Sequence, residues 1–144
     1  CCEARGADGD MEAATDNAVA ALGWLCKRTE AIGAIGWPRW LQSLPLQMDK
    51  DEARRVHKLL VDAVEASNTL LLGASHERLP EIICVFGMVL GTDTLESADG
   101  DRVKNLLKQV HAGLPHVLQS LPQHPRFATL NDNQRAALEH AISS

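Results

Sequence analysis

The pentapeptide Leu-Gln-Ser-Leu-Pro occurs twice in this chain, at residues 41–45 and 118–122, so the two copies start 77 residues apart. Each follows a short apolar stretch introduced by a proline, Pro38 for the first and Pro115 for the second, and Pro80 opens a third such stretch between them. Those prolines are 42 and 35 residues apart, a period of about 38 to 39 residues. A recurrence of this kind points to one unit repeated along the chain, and it narrows the possible folds more than any single motif does.

A repeat of roughly 40 residues is the length of a HEAT unit, a pair of antiparallel helices. Such a hairpin has an apolar face that it cannot bury alone, so neighbours stack into a solenoid and present one long surface. Alanine and leucine together number 39 against 20 for valine, isoleucine and threonine, which favours helix over sheet. The expected fold is therefore all-α, an α-solenoid of HEAT-like antiparallel helix pairs. Residues 1–14, with scattered charge and two glycines, read as a flexible lead-in, and residues 15–144 as the repeat segment of about seven helices.

Along the chain, a first helix is expected from Thr15 or Asp16 to Arg28, with Ala18, Leu22, Leu25 and Cys26 on its apolar line. Gly33 and Gly36 read as a loosening before a short helix from Trp37 to Leu44, whose face carries Trp37, Trp40, Leu41 and Leu44. The spacing of these tryptophans suits core packing. Asp49 with Glu52 three residues on predicts a capped helix start, followed by a core line of Ala53, Val56, Leu60, Ala63, Val64 and Ser67. Leu70, Leu71 and Leu72 should tuck under their neighbours, with Gly73 a left-handed stop. Helices from Leu79 to near Gly91, from Asp99 or Gly100 onward, and from Pro115 to Leu121 follow. Asn131 and Gln134 cap the last, in which Leu138, Ala141 and Ile142 face inward.

The net charge of −5 argues against a general nucleic-acid binder, which needs a basic stripe to displace counterions, and suits basic partners. No apolar run reaches the ~18 residues that span a bilayer, and the first residues lack a signal peptide's apolar core, so a soluble intracellular protein without membrane association is expected. The chain opens on Cys1 without a methionine and reads as a piece of a longer protein ending at Ser144. An exposed apolar patch is expected near residues 18–26, where the stack would begin.

Catalytic signals are sparse. His76-Glu77-Arg78-Leu79-Pro80 begins like a zinc-protease motif but has proline where the second histidine must stand, and Gly73-Ala74-Ser75-His76-Glu77 lacks the closing glycine of a nucleophile elbow. Cys1, Cys2, Cys26 and Cys84 form no C-x-x-C pair and read as reduced packing thiols, and the six histidines read as surface or cap residues. No enzyme activity, metal or cofactor is expected; a thiol or zinc hydrolase around Cys26 or His76 is the enzymatic alternative. Acidic residues gather instead: Asp16, Asp49, Asp51 and Glu52 at expected helix starts, and Asp62 and Glu65 further along one helix. Acids there complement helix dipoles. Stacked second helices would also bring them side by side to receive lysine and arginine.

Ala14-Thr15-Asp16-Asn17-Ala18-Val19-Ala20-Ala21-Leu22-Gly23, then Trp40-Leu41 with Leu44-Pro45-Leu46, then Asp49-Lys50-Asp51-Glu52-Ala53, resemble the last HEAT repeats of the importin-β (karyopherin-β) nuclear transport receptors, and most nearly the importin-β3 branch. Similarity continues through Glu65-Ala66-Ser67-Asn68, Leu72-Gly73, Leu79-Pro80-Glu81-Ile82 and Asn133-Gln134-Arg135-Ala136-Ala137-Leu138, while residues 92–112 and the turn at Pro122 and Pro125 depart from the pattern. The resemblance implies a receptor that shuttles between cytoplasm and nucleus. It would carry basic protein cargo through nuclear pores, engage nucleoporins, and release cargo when Ran-GTP binds repeats upstream of those present here. On that reading Asp16, Asn17, Asp49, Asp51, Glu52, Asp62 and Glu65 form an inner acidic strip that touches cargo. The rival of another class is a cytosolic HEAT scaffold that holds the subunits of a complex together.

Overall fold

A computed structural model describes the backbone of residues 9–46, 49–73 and 75–143, and side chains within these from Asn17 onward. Among the described residues there are eight α-helices and no strand: α1 (Gly9–Arg28), α2 (Glu30–Gln42), α3 (Lys50–Glu65), α4 (Thr69–Leu72), α5 (Leu79–Val89), α6 (Ser97–Gly113), α7 (Pro115–Ser120) and α8 (Asp132–Ser143), with 3-10 turns at Leu121–Gln123 and Phe127–Thr129. The all-α expectation holds.

The start of the chain differs most from its sequence reading. Helix α1 begins at Gly9, six residues before Thr15, which leaves Asp16 in the middle of a helix; residues 1–8 of the expected lead-in lie outside the described set. Gly33 and Gly36 do not loosen the chain but sit inside α2, and Pro38 is an interior residue of that helix. Close packing is the reason. A Cβ on Gly36 would stand 2.5 Å from Cys26 Sγ and one on Gly33 would stand 3.1 Å from the Cys26 carbonyl, so the glycines let α1 and α2 approach as an antiparallel hairpin turning at Thr29. Gly23 does the same for the second tryptophan, since its Cβ would meet Trp40 Nε1 at 2.6 Å. This seating turns the buried face of α1 to Val19, Ala20 and Cys26, and leaves Ala18 and Leu25, expected in the core, exposed.

Trp37, Trp40, Leu41 and Leu44 are all buried, the two indoles meeting edge to face at 5.0 Å. Helix α3 buries the expected Ala53, Val56, Leu60, Ala63 and Val64, and adds His57, Leu59 and Val61. Ser67 is a correction, because it lies past the helix end, exposed, with φ at 55°. Leu71 and Leu72 are buried as expected, in the single turn of α4, and Gly73 takes φ of 87°. Helix α5 buries eight of its eleven residues, and Gly87 forms the seat of Leu138 from α8. Helix α6 starts at Ser97, so Asp99 and Gly100 lie within it and not ahead of it. The expected box at the start of α8 is present: the Asn131 N–H donates to Gln134 Oε1 at 2.9 Å and the Gln134 N–H to Asn131 Oδ1 at 2.8 Å.

The helices form successive neighbours. Helix α1 packs on α2 and α3, α3 on α6, and α6 on α8; on the other side α2 packs on α4, and α5 on α7 and α8. Both copies of Leu-Gln-Ser-Leu-Pro close a helix, α2 and α7, in matching fashion: the serine hydroxyl donates back to a carbonyl of the last turn (Ser43 to Arg39, Ser120 to Val117) and the second leucine, Leu44 or Leu121, is buried.

Two long-range ties join distant segments. Arg126 reaches from the turn after α7 to the end of α2, donating from Nη1 to the Leu41 carbonyl at 3.1 Å and from Nη2 to the Leu44 carbonyl, with Glu81 Oε2 at 3.5 Å. His57 is the exception among the histidines expected at surfaces and caps. It is buried on α3, its Nε2 accepts the Leu46 N–H at 3.2 Å, and its Nδ1 lies 2.8 Å from the Thr94 carbonyl, so the neutral ring carries its proton on Nδ1.

Candidate functional site: the polar face of α3 and its cross-ties

Because α3 buries one broad side, its remaining side carries charge in helical register: Asp51, Arg54, Arg55, Lys58, Asp62 and Glu65. Asp49 caps the helix, Oδ1 accepting the Glu52 N–H at 3.0 Å. The charges that follow pair with one another. Arg54 meets Asp51 at 2.9 Å, Arg55 meets Glu52 at 3.2 Å, and Lys50 reaches Asp93 in the α5–α6 connection at 2.5 Å. Arg54 Nε also donates to the Asp93 carbonyl at 2.8 Å. A recess of about 290 Å³ lined by Asp51, Arg54, Arg55, Lys58 and Glu96 has more basic than acidic groups.

The far end of α3 has the opposite sign. Arg102 of α6 crosses to α3, where Nη2 meets Asp62 at 2.5 Å and also contacts Glu65, while Nε donates to both Glu65 oxygens at 3.1 and 3.2 Å. Its Nη1 donates to Asp99 Oδ1 at 2.9 Å. Asp99 is buried, and its Oδ2 has no hydrogen-bond partner among the described residues. Three carboxylates therefore share one guanidinium and leave an excess of two negative charges. The hydrogen bonds from Arg102 hold the Glu65 carboxyl below its ordinary range, and Glu65, then Asp62, push Arg102 further up. The Lys50 ammonium likewise holds Asp93 down.

Of the residues expected to form an acidic strip, the structure joins Asp62 and Glu65 directly through Arg102. Asp49, Asp51 and Glu52 stand at the helix start, about three turns away along α3, with Arg54, Arg55 and Lys58 between the two groups. Asn17 is exposed on α1, and Asp16 lies in that helix with its side chain outside the described set. Sequence alone does not point to Asp93 or Arg102, and it marks Asp99 only as a helix start. The Asp99 to Arg102 spacing at the start of α6 is the one local signal that could have drawn attention to them.

Among the described residues no cluster of three or more His, Cys, Asp or Glu is placed to hold a metal ion, and no helix is long and apolar enough to cross a membrane. Burial raises both described thiols, Cys84 to about 11. No family model matches the chain, and no solved structure is significantly similar to it.

Proposed function

We propose that this chain is the carboxy-terminal repeat segment of an importin-β-type nuclear import receptor, an α-solenoid that holds basic protein cargo and performs no chemistry of its own. The observation that carries the reading is the succession of contacts from α1 to α3, α6 and α8 beside that of α2 with α4 and α5 with α7. One row running α1, α3, α6 and α8, with shorter helices packed beside it, is what stacked helix pairs produce. The matching helix ends made by the repeated pentapeptide support the same reading.

In this reading cargo lysines and arginines approach the Asp62 and Glu65 end of the α3 face, where these two carboxylates, with Asp99 buried behind them on α6, outnumber the guanidinium that ties them. Asp49, Asp51 and Glu52 contribute less, because capping and local ion pairs already engage them. The raised thiols of Cys26 and Cys84 are the reverse of an activated nucleophile, which weighs against the hydrolase alternative.

Titrating the chain with a lysine-rich import-signal peptide at two salt concentrations tests the proposal. Binding at low salt that weakens as salt rises, and that Asp62→Asn with Glu65→Gln reduces, is expected. No binding even at low salt removes the proposed cargo role. A longer chain with the upstream repeats should release the peptide on adding Ran-GTP; a cytosolic scaffold should ignore it.

A further inference from the structure

A hollow of about 160 Å³ opens at the edge of the fold where α3 and α6 end and α5 begins. Its floor is made of buried Val64, Leu72, Leu79 and Leu106, one each from α3, α4, α5 and α6, so the packing that builds the core also fixes the hollow. An apolar cavity of about 150 Å³ is roomy enough for a benzene ring. A further helix pair of the stack would lie along the sides of helices and not across their ends, which leaves this edge open.

Ser67, His76 and Gln109 stand at the mouth, all exposed. Each offers an oxygen or ring-nitrogen acceptor, and none of these side chains bonds to another described residue. Ser67 and His76 are also the two residues other than glycine with positive φ among those described, at 55° and 56°. Glycine takes that backbone without strain but has no side chain. Serine and histidine hold it at a cost, and what they bring is an acceptor at the mouth.

The mouth is electrically one-sided as well. Helices α3 and α6 turn their carbonyl ends toward it, the negative ends of their dipoles; α3 has no basic side chain in its last turn to offset this, and α6 has only His111. The start of α5, of opposite sign, already carries Glu81 in its first turn. Arg78 is engaged elsewhere, its Nη1 donating to the Leu70 and Leu71 carbonyls at 3.0 and 3.1 Å. None of the lining residues is Asp, Glu, Lys or Arg.

We infer that this hollow binds a small free amine whose body is a single aromatic ring, an arylalkylamine. The ring rests on the leucine floor and the ammonium stays at the mouth, where its three N–H groups meet three acceptors, Ser67 Oγ, the His76 ring and Gln109 Oε1. A carboxylate in the same place would face the carbonyl ends of two helices. A lysine side chain has the wrong polarity, since it leads with its charge and would set the ammonium on the leucines. The hollow is therefore distinct from the α3 carboxylates assigned to basic cargo.

Phenethylamine is the probe, titrated against the intact chain with backbone amide shifts read by NMR, beside phenethyl alcohol, 3-phenylpropionate and N-acetyl-lysine amide. For a ligand of this size a Kd of about 1 mM is expected, with the alcohol about threefold weaker and the carboxylate and lysine amide about tenfold weaker or more. The shifts should centre on Leu72, Leu79 and Leu106. Ser67→Gly should weaken the amine about threefold while its urea midpoint stays level or rises, a split that a purely structural serine would not give. Leu106→Phe fills the hollow and should abolish binding; if circular dichroism shows that it fails to fold, Val110→Phe on the half-buried wall takes its place. The inference is overturned by no saturable shift at the floor up to about 20 mM amine, or by equal affinity for the carboxylate or the lysine amide. Binding that Ser67→Gly leaves unchanged, or that survives the filled hollow, overturns it too.

Discussion

Replacing Arg126 with alanine is the sharpest test of how the two halves of the fold are held together. The guanidinium supplies donors to the Leu41 and Leu44 carbonyls, at the end of α2, from a residue more than 80 positions later in the chain. The two acceptors would not suffer equally. The Leu41 carbonyl also accepts the Leu44 N–H at 3.1 Å and would keep a partner, while the Leu44 carbonyl would lose the one side-chain donor that reaches it from Arg126. A charge-assisted hydrogen bond contributes about 1.5 to 3 kcal/mol, and a stranded part-buried acceptor costs about 1 to 3 kcal/mol. Glu81, at 3.5 Å, adds little. A loss of about 2 to 3 kcal/mol is therefore expected.

Urea unfolding at constant m-value, read with thermal melts, measures it. For a chain of this size the melting temperature should fall by about 5 to 10 °C. Arg126→Lys should recover part of the loss, since an ammonium can satisfy one carbonyl but cannot fork across both. Glu81→Gln in a double-mutant cycle should show little coupling with Arg126. An Arg126→Ala loss below about 0.5 kcal/mol, the range of an ordinary surface change, would refute the reasoning.

Gly36→Ala should destabilise by about 1 to 3 kcal/mol in the same melts, because the added methyl lands on Cys26 Sγ, whereas Gly113→Ala, with open space at its Cβ, should not. The carboxyl of Glu65 is held below its ordinary value near 4.5 by Arg102, so this tie contributes stability above that value and loses it as pH falls through the lowered one; Arg102→Gln should flatten the acid limb of the stability curve. His57→Phe should destabilise more than an exposed His76→Phe, since it strands the Leu46 N–H and the Thr94 carbonyl, and urea melts compare them. Cys26 and Cys84 should resist iodoacetamide at pH 8 in the folded chain and react in denaturant, with labelling followed by mass spectrometry.

What the sequence makes legible is what local chemistry decides. The Asp49 cap and the reciprocal Asn131 and Gln134 bonds each fit within four residues, and the apolar periodicity of α3 and α5 follows from burial of one face. The first hairpin is not legible in this way, because glycine and proline serve two purposes. At Gly33 and Gly36 the missing side chain permits a close helix crossing, and only the partner helix distinguishes that from a loop. The rotation of α1 that exposes Leu25 has the same origin, since it depends on where Trp40 is seated. Arg102 and Arg126 act across 37 to 85 residues, and no periodicity records such pairings. His57 could not be told from an exposed histidine, because the groups that satisfy it, Leu46 N–H and Thr94 C=O, belong to the backbone.

The α3 face would contribute modestly to any complex. Carboxylates on α3 are exposed or half-exposed and mostly paired, and exposed ion pairs contribute about 0 to 1 kcal/mol each. A basic partner there must displace or share Arg54, Arg55 or Arg102, so the net gain is small and falls with salt. The α3 face should therefore select the charge of what approaches more than it supplies affinity, and what binding it gives should vanish with its carboxylates.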